Sequence, residues 1–217
     1  MVPIEYTGHD GWPLTAFISE YAQDLIALLD HLGVDRALVG GAGLGATVSL
    51  RTALAYPDRV AGLVLISVED IEDDAAKQDE IEFMEAFAAR VRQAGLEAAW
   101  APVLPQLSPV IGAMVREALP HADPDSAAAA AAIGYDRAFG SVDELMVIDV
   151  PTLIIQGADW RHPAGLAKQL AEGLPHGRLA AVGMSTDLQS SDDLGRAFTP
   201  EIQTFLVEFS DIFSRIK

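Results

Sequence analysis

Residues 37–45 read ALVGGAGLG, an apolar run that leads directly into four closely spaced glycines. Because consecutive apolar residues are typical of a strand buried on both faces, we predict a strand at Ala37–Val39. The residues from Leu44 to Tyr56 stop before Pro57 and predict a helix. This stretch therefore predicts a strand that turns sharply into a helix, with Gly43 on the turn.

Three further apolar runs follow along the chain, and amphipathic segments of helical length alternate with them. The runs are Val60 to Ser67, Thr152 to Gln156 and Leu179 to Val182, and the remaining helices are predicted at Ile18 to Leu32, Pro163 to Glu172 and Pro200 to Ile216. Such alternation predicts an α/β fold, in which a mostly parallel sheet is flanked by helices. The apolar stripe expected on the first helix consists of Tyr21, Leu25, Leu28, Leu29 and Leu32.

Residues 69–143 follow a different pattern. An acidic run from Glu69 to Asp74 precedes a helical segment through Arg92, and the alanine run Ala127–Ala132 comes later, after a stretch marked by prolines. Alanine is the best helix former, so this run needs no special function. We predict a helical insertion at 69–143 between two parts of one core, 1–68 and 144–217.

The turn at residues 41–45 has the pattern G-x-nucleophile-x-G of a nucleophile elbow, and the residues from Asp35 to Ser67 around it resemble the α/β-hydrolase family. The resemblance continues in GHDGW at 8–12, a weakened G-H-G-x-S turn, and in DWRHP at 159–163, which fits the family's D-x-x-x-P loop. It implies a truncated α/β-hydrolase fold of the small esterase, lactonase and haloperoxidase branch, with 69–143 as the cap. The family has several strands before the first of these turns, so we expect a shortened amino-terminal part and a strand at Ala37–Gly40 at or near a sheet edge.

The resemblance also implies a nucleophile, a histidine and an acid at three fixed places. Here the nucleophile position holds Gly43, the histidine position holds Asp187, and Asp159 stands at the acid position. Since glycine has no side chain to attack a substrate, we predict a degenerate triad without serine-type hydrolase activity. The backbone N–H of Leu44 is expected to remain as half of an oxyanion hole.

Other candidate site residues are expected at the same end of the sheet. His162 follows Asp159 by three residues, and these two form the candidate catalytic pair. His9, Glu69 and Trp160 are candidates for lining the pocket, Glu69 because it ends a predicted core strand and could be a relocated acid.

Two alternative sites are weighed against this interpretation. Residues 41–46 also fit the G-x-G-x-x-G/A dinucleotide fingerprint, but the first acid that ends the next strand, Glu69, comes later than that site requires, and no cofactor is predicted. The acidic run at 69–74 could bind Ca²⁺ or Mg²⁺, but it lacks the glycine and terminal glutamate of an EF-hand. We interpret it as a solvated helix start and predict no metal.

The composition narrows the classes of partner. Asp and Glu number 32 against 14 Lys and Arg, for a net charge of −18, and such a charge repels nucleic acid and anionic membranes. No apolar run approaches the roughly 20 residues that cross a bilayer, and the first residues lack a basic region followed by an apolar segment. We therefore predict a cytoplasmic protein.

Together these observations predict a degenerate α/β-hydrolase-fold protein that binds a small apolar or ester-like molecule or a protein partner. The partner includes a second copy of the chain, paired through the exposed sheet edge. The alternative is an active enzyme that hydrolyses an ester or lactone, or catalyses a lyase-type reaction, with a non-standard residue set. The sequence alone does not decide whether the protein is an enzyme.

Overall fold

The computed structural model describes the backbone of residues 6–7, 13–14 and 18–215, and the side chains of residues 18–209. Its strands are β1 (Tyr6–Thr7), β2 (Pro13–Leu14), β3 (Ala37–Ala42), β4 (Val60–Ile66), β5 (Thr152–Gln156) and β6 (Gly177–Gly183). Its α-helices are α1 (Ile18–His31), α2 (Leu44–Ala55), α3 (Asp74–Trp100), α4 (Pro109–Ala118), α5 (Pro124–Ala130), α6 (Ala164–Gly173) and α7 (Ser191–Arg215). Short 3₁₀ helices span Pro57–Arg59, Leu104–Gln106, Leu119–His121, Ala131–Tyr135 and Val142–Leu145.

Four of these strands form one parallel sheet in the order β3-β4-β5-β6. Its register pairs Gly40 with Val64 and Leu65 with Ile154. Strands β1 and β2 pair with each other in a separate antiparallel ribbon. The predicted α/β class is confirmed, and β3 lies at one edge of this four-stranded sheet, so all carboxyl ends of the four strands meet on one side.

Two apolar clusters cover the two faces of the sheet, because successive strand residues point to opposite sides. Helices α1, α2 and α6 pack on one face, where the buried strand residues include Val39, Leu63, Leu65 and Ile154. Helices α4 and α7 pack on the other face, where the buried strand residues are Val64, Leu153, Ile155 and Ala180. The sheet is thus the middle of three layers, which explains why its central strands β4 and β5 are buried along nearly their whole length.

Helices α1 and α7 differ from the sequence predictions. On α1 the buried face is formed by Ile18, Ala22 and Leu29, while the predicted stripe residues Tyr21, Leu28 and Leu32 are 41%, 51% and 61% exposed. Helix α7 begins nine residues earlier than predicted, at Ser191, and continues through Pro200. Its start has a reciprocal cap, in which Ser190 N–H donates to Asp193 Oδ2 at 3.0 Å and Asp193 N–H donates to Ser190 Oγ at 3.2 Å.

The predicted insertion leaves the sheet after β4 and returns before β5. Its two ends meet, since Ile71 bridges to Phe139 and the Ala138 N–H donates to Asp70 Oδ2 at 3.0 Å. Helices α3 and α5 of this segment bury a small cluster of their own, formed by Ala88, Val91, Leu96, Ala99, Ala128 and Ala131. Gly95, with φ 85°, breaks the helical backbone inside α3. The boundaries 69 and 143 stay a prediction.

None of the helices in the described part of the chain combines the length and the apolar character that crossing a membrane requires.

Candidate functional site

The turn between β3 and α2 has the geometry of the predicted elbow. Gly43 has φ 55° and ψ −123°, a conformation that strains any residue with a Cβ atom. Its N–H donates to the Ile66 carbonyl at 2.9 Å, and its carbonyl accepts from the N–H groups of Ala46 and Thr47 in the first turn of α2. The turn therefore ties the edge strand to β4 and aims the amino end of α2 at the carboxyl side of the sheet, where the N–H of Leu44 has no acceptor within its helix.

Asp159 and His162 form a close pair in the loop after β5. Asp159 Oδ1 lies 2.7 Å from His162 Nδ1, and it also accepts from the backbone N–H groups of Arg161 at 3.0 Å and His162 at 3.1 Å. The carboxylate thereby fixes the loop and the ring together. Since Nδ1 faces this carboxylate, Nε2 is the nitrogen that faces the rest of the site.

Gly157 allows this loop to fold back toward the elbow. A Cβ atom at Gly157 would collide with the Cβ and the carbonyl of His162, so only glycine permits the approach. With the loop in this place, His162 Nε2 lies 3.5 Å from the position that a Cβ atom on Gly43 would take. The imidazole at the elbow therefore comes from the loop after β5, which also carries Asp159, and not from the loop after β6.

Glu69 reaches the same point from the end of β4. Ser67 and Asp70 on either side of it have left-handed backbone, with φ 52° and 59°, which bends the chain sharply after the strand. Thr47 Oγ1 holds the bend by donating to the Glu69 carbonyl at 2.9 Å. Glu69 Oε1 lies 3.4 Å from the Cβ position of Gly43, and its Oε2 lies 3.2 Å from His162 Nε2.

Arg161 adds a second cation to the site. Its Nη2 lies 3.1 Å from Glu69 Oε2 and 2.9 Å from Glu80 Oε1 on α3. Sequence reasoning did not single out this residue, and its only signal was a cation inside the D-x-x-x-P loop of a strongly acidic chain. The site thus connects Asp159, His162, Glu69, Arg161 and Glu80 in one polar network.

The network changes the protonation of its members. Burial alone would lower the pKa of His162, but hydrogen bonds to Asp159 and Glu69 and the charges of both raise that pKa to about 9. Burial would raise the pKa values of Glu69 and Asp159, but their contacts with His162, and for Glu69 the charge of Arg161, hold both below the ordinary range. At neutral pH the site therefore holds an imidazolium between two carboxylates, and His162 cannot act as a base until it loses a proton.

A second charged cluster lies beside this network. One carboxylate oxygen from each of Asp70, Glu72 and Glu80 lies within 4.8 Å of the others. Lys77 Nζ contacts all three, at 2.9 Å, 3.5 Å and 2.6 Å respectively, so the ammonium already supplies a cation among them. Burial, followed by the neighbouring carboxylate of Glu80, raises the pKa of Glu72 to about 7.

A cavity of about 430 Å³ opens next to Glu69. The carboxylates that line it belong to Glu69, Asp70, Glu72, Asp73, Asp79 and Glu80. Trp160 and Arg161 form another part of the wall, and the Trp160 ring, 49% exposed, stands edge-to-face on Phe83 at 5.2 Å. The cavity is acidic, whereas a small apolar or ester-like ligand was predicted, because the acidic segment between β4 and α3 and the start of α3 line it.

The structure thus brings together most of the candidate site residues. Gly43, Leu44, Glu69, Asp159 and His162 surround the elbow, and Trp160 lies at the rim. Asp187 lies exposed in the loop after β6, where its N–H donates to Ser185 Oγ at 3.3 Å. His9 falls outside the described residues.

Comparison with known proteins supports the same fold. Residues 13–90 match the Ndr family. Over 60 residues the chain is 48% identical to the homoserine O-acetyltransferase of Thermus thermophilus, a match that covers 28% of this chain and only 15% of that protein.

Solved structures are similar over nearly the whole chain. A thermophilic esterase from Thermogutta terrifontis has a TM-score of 0.75 and 24% identity, over 95% of this chain and 79% of its own. MenH from S. aureus has a TM-score of 0.73 and 22% identity, over 96% and 83% of the two chains. The enol-lactonase from Burkholderia xenovorans has a TM-score of 0.69 and 24% identity, over 93% and 77%.

The chain is therefore an α/β-hydrolase-fold protein, and the resemblance stated from its sequence is confirmed. The identities to these solved structures, all below 25%, establish the fold alone, because one fold hosts many activities.

Proposed function

We propose that this protein does not carry out serine-type ester hydrolysis and that it binds a small molecule at the carboxyl end of the sheet, beside Glu69 and His162. The observation that carries the proposal is Gly43 in the strained elbow conformation, which leaves no side chain at the place where His162 Nε2 and Glu69 Oε1 meet. Without a side chain at residue 43, no acyl-enzyme can form at the elbow.

The lining of the cavity limits the chemistry of the ligand. Six carboxylates against one lining arginine disfavour an anionic molecule. The exposed ring of Trp160 offers an apolar contact surface. We therefore expect a neutral or cationic small molecule with an apolar part that packs on Trp160, and a cytoplasmic location for the protein is part of this proposal.

The second candidate function is catalysis with a non-standard residue set. It is favoured by the continuous contact from Asp159 through His162 to Glu69, at 2.7 Å and 3.2 Å, directly at the elbow. An aligned carboxylate, imidazole and carboxylate at the edge of a cavity is an arrangement that can move protons or form a bond to a substrate.

An ester panel separates the two candidates. The purified chain would be incubated with short- and medium-chain aryl esters, with heat-denatured protein and a His162→Gln variant in parallel. We expect native turnover no higher than the denatured control. Native turnover that His162→Gln abolishes would overturn the proposal and establish the second candidate.

A further inference from the structure

The acidic cavity has two kinds of wall. One wall is the start of α3, where Asp73 and Asp79 line the cavity. The other comes from the loop after β5 and the start of α6, with Trp160, Pro163 and Leu166. The volume of about 430 Å³ falls in the range of roughly 300–1,000 Å³ that is typical of small-molecule sites. The cavity can therefore hold a small organic molecule between a charged wall and an apolar wall.

The carboxylates that line the cavity outnumber the cations that contact them. Six lining carboxylates meet three cations from the described part of the chain, Lys77, Arg161 and His162, so negative charge remains. Asp79 forms no hydrogen bond or ion pair with any residue that the structure describes. The cap of α3 uses only Oδ1 of Asp73, which accepts from two backbone N–H groups at 3.0 Å. The start of α3 therefore keeps acceptors for a ligand.

Asp79 and Trp160 lie close to one another along this wall. The Trp160 ring stands edge-to-face on Phe83, with the ring centroids 5.2 Å apart. Phe83 follows Asp79 by four residues on α3, which is about one helical turn, or roughly 5.4 Å along the axis. A molecule with a short spacer between a charged group and an apolar group can therefore reach the Asp79 carboxylate and the Trp160 ring together.

We propose that this cavity binds an organic ammonium ion, whose N–H groups donate to the Asp79 carboxylate and whose apolar group packs on the exposed ring of Trp160. The inference rests on the proposed function, binding of a small molecule at this end of the sheet, and narrows the ligand to a cation with N–H donors. Gly43 and His162 are not among the described residues that line the cavity. Binding here therefore needs no contact with the elbow.

The lining favours an ammonium ion over two other kinds of cation. Quaternary ammonium ions are bound by cages of several aromatic rings, whereas Trp160 is the single aromatic residue among the described residues of this lining. The three clustered carboxylates that a divalent metal ion would use are already contacted by Lys77 Nζ, at 2.6 to 3.5 Å. Free carboxylate acceptors beside one exposed ring fit a cation that donates hydrogen bonds.

Glu72 couples this binding to pH. It lines the cavity, and its pKa of about 7 results from burial and from Glu80, with Asp70 raising it and Lys77 lowering it. A bound ammonium favours the ionised form of Glu72, so binding releases protons near neutral pH. An alkylammonium ion, like lysine, keeps its charge up to about pH 9. The affinity should therefore rise about threefold between pH 6 and pH 8.

The test uses 2-phenylethylammonium on the full native chain, followed by the indole N–H signals in ¹⁵N-resolved NMR spectra. The chain has three tryptophans, and Trp160→Phe assigns the signal of Trp160. That signal should shift and saturate with a dissociation constant of about 1 mM or lower. The neutral isostere 2-phenylethanol should bind at least about tenfold more weakly, and trimethyl(2-phenylethyl)ammonium, which has no N–H, should also bind more weakly.

Two matched variants separate the cavity from the overall negative charge of the chain. Asp79→Asn should weaken binding of 2-phenylethylammonium about threefold, whereas Glu82→Gln, an exposed residue of α3 outside the lining, should leave it unchanged. Equal effects of these two variants, or no shift of the Trp160 signal, would overturn the inference.

Equal binding of 2-phenylethanol would also overturn the inference, but it would leave the proposed small-molecule site in place. Aryl ester turnover that His162→Gln abolishes would instead overturn the proposed function, and these titrations do not depend on it. The failure of one is therefore distinguished from the failure of the other.

Discussion

Nε2 of His162 lies 3.5 Å from the position of a Cβ atom on Gly43, although the two residues belong to different loops and the family resemblance implies a histidine at the position of Asp187. The imidazole is also hydrogen bonded to Asp159 at 2.7 Å. Two members of a nucleophile–histidine–acid set are therefore in place, and only the first is missing.

A serine at residue 43 should complete this set. We expect Gly43→Ser to hydrolyse aryl esters at least about tenfold faster than the native chain, because Ser Oγ can reach His162 Nε2. The activity should rise with pH toward 9, since only the neutral ring accepts the serine proton and the pKa of His162 is about 9. Steady-state assays between pH 6 and 10 measure both effects.

Gly43→Ala is the matched control, because it adds the same backbone strain without a hydroxyl. Adding Asp187→His to Gly43→Ser should give no further gain, whereas adding His162→Gln should abolish the activity. A gain that requires Asp187→His would contradict the role assigned to His162.

The stability of the fold should decrease at high pH because of His162. Its pKa rises from 6.5 to about 9 on folding, so its contribution is complete below pH 6.5 and is lost as the pH rises through 9. We expect the free energy of unfolding to fall by about 1–2 kcal/mol between pH 6.5 and 9.5, less than the full pKa shift implies because the ring is partly hydrated. Urea denaturation at several pH values measures this.

In that series His162→Gln should flatten the decrease, while His176→Gln, an exposed histidine, should keep it. The lowered pKa values of Glu69 and Asp159 affect the free energy of unfolding at acidic pH instead. Their contribution is present above their ordinary pKa values and is lost as the pH falls through the lowered ones.

Gly157→Ala should disrupt the site through packing alone. The added Cβ collides with His162, so the loop must shift, and we expect a loss of about 1–3 kcal/mol in the free energy of unfolding. Gly165→Ala, near the start of α6, adds the same methyl group where nothing lies within 4 Å and should be neutral or slightly stabilising. Equal effects of the two variants on thermal unfolding would refute the proposed close approach.

Lys77→Met should destabilise the cluster around it. The substitution leaves Asp70 and Glu80 without their ammonium partner at a site where Lys77 is only 5% exposed, and we expect a loss of about 3 kcal/mol at pH 7. The loss should shrink as the pH falls, because burial raises the pKa of Asp70 and its carboxyl group becomes neutral early. Lys168→Met, with its side chain 68% exposed, should change little.

Strand β3 presents one edge of the four-stranded sheet and is the expected contact of a second copy. Light scattering at protein concentrations between about 1 and 100 µM measures the molar mass in solution. This range covers the roughly micromolar dissociation constant of a weak dimer. We expect the mass to rise toward that of a dimer. A constant monomer mass over the whole range would reject this partner.

The four strands of the sheet and the elbow could be predicted because their signals, apolar runs and closely spaced glycines, lie in residues that are neighbours in the chain. The sequence did not predict that His162 lies at the elbow. This position requires the loop after β5 to fold back on itself, so that the Cβ atom and carbonyl of His162 pack closely on Gly157. Glu69 was predicted to line the pocket because it ends a strand, but its contact with His162 was not predicted. The left-handed residues Ser67 and Asp70, which turn the chain after β4, are not glycines and give no signal in the sequence.

The differences on α1 and α7 have the same origin. Periodicity shows that a helix has an apolar side, but the sheet decides which side is covered, so Tyr21 and Leu28 stay exposed. Pro200 suggested a helix start, yet the cap formed by Ser190 and Asp193 begins α7 earlier.

The meeting of Ile71 with Phe139 has an evolutionary consequence. A segment that departs and rejoins a scaffold at one pair of adjacent residues can change in length, or be exchanged for another, without moving the strands on either side. The carboxylates that line the cavity arrive largely on that segment, whereas Asp159 and His162 belong to the scaffold. The lining of the cavity can therefore change together with this segment, while the contact between Asp159 and His162 stays in place.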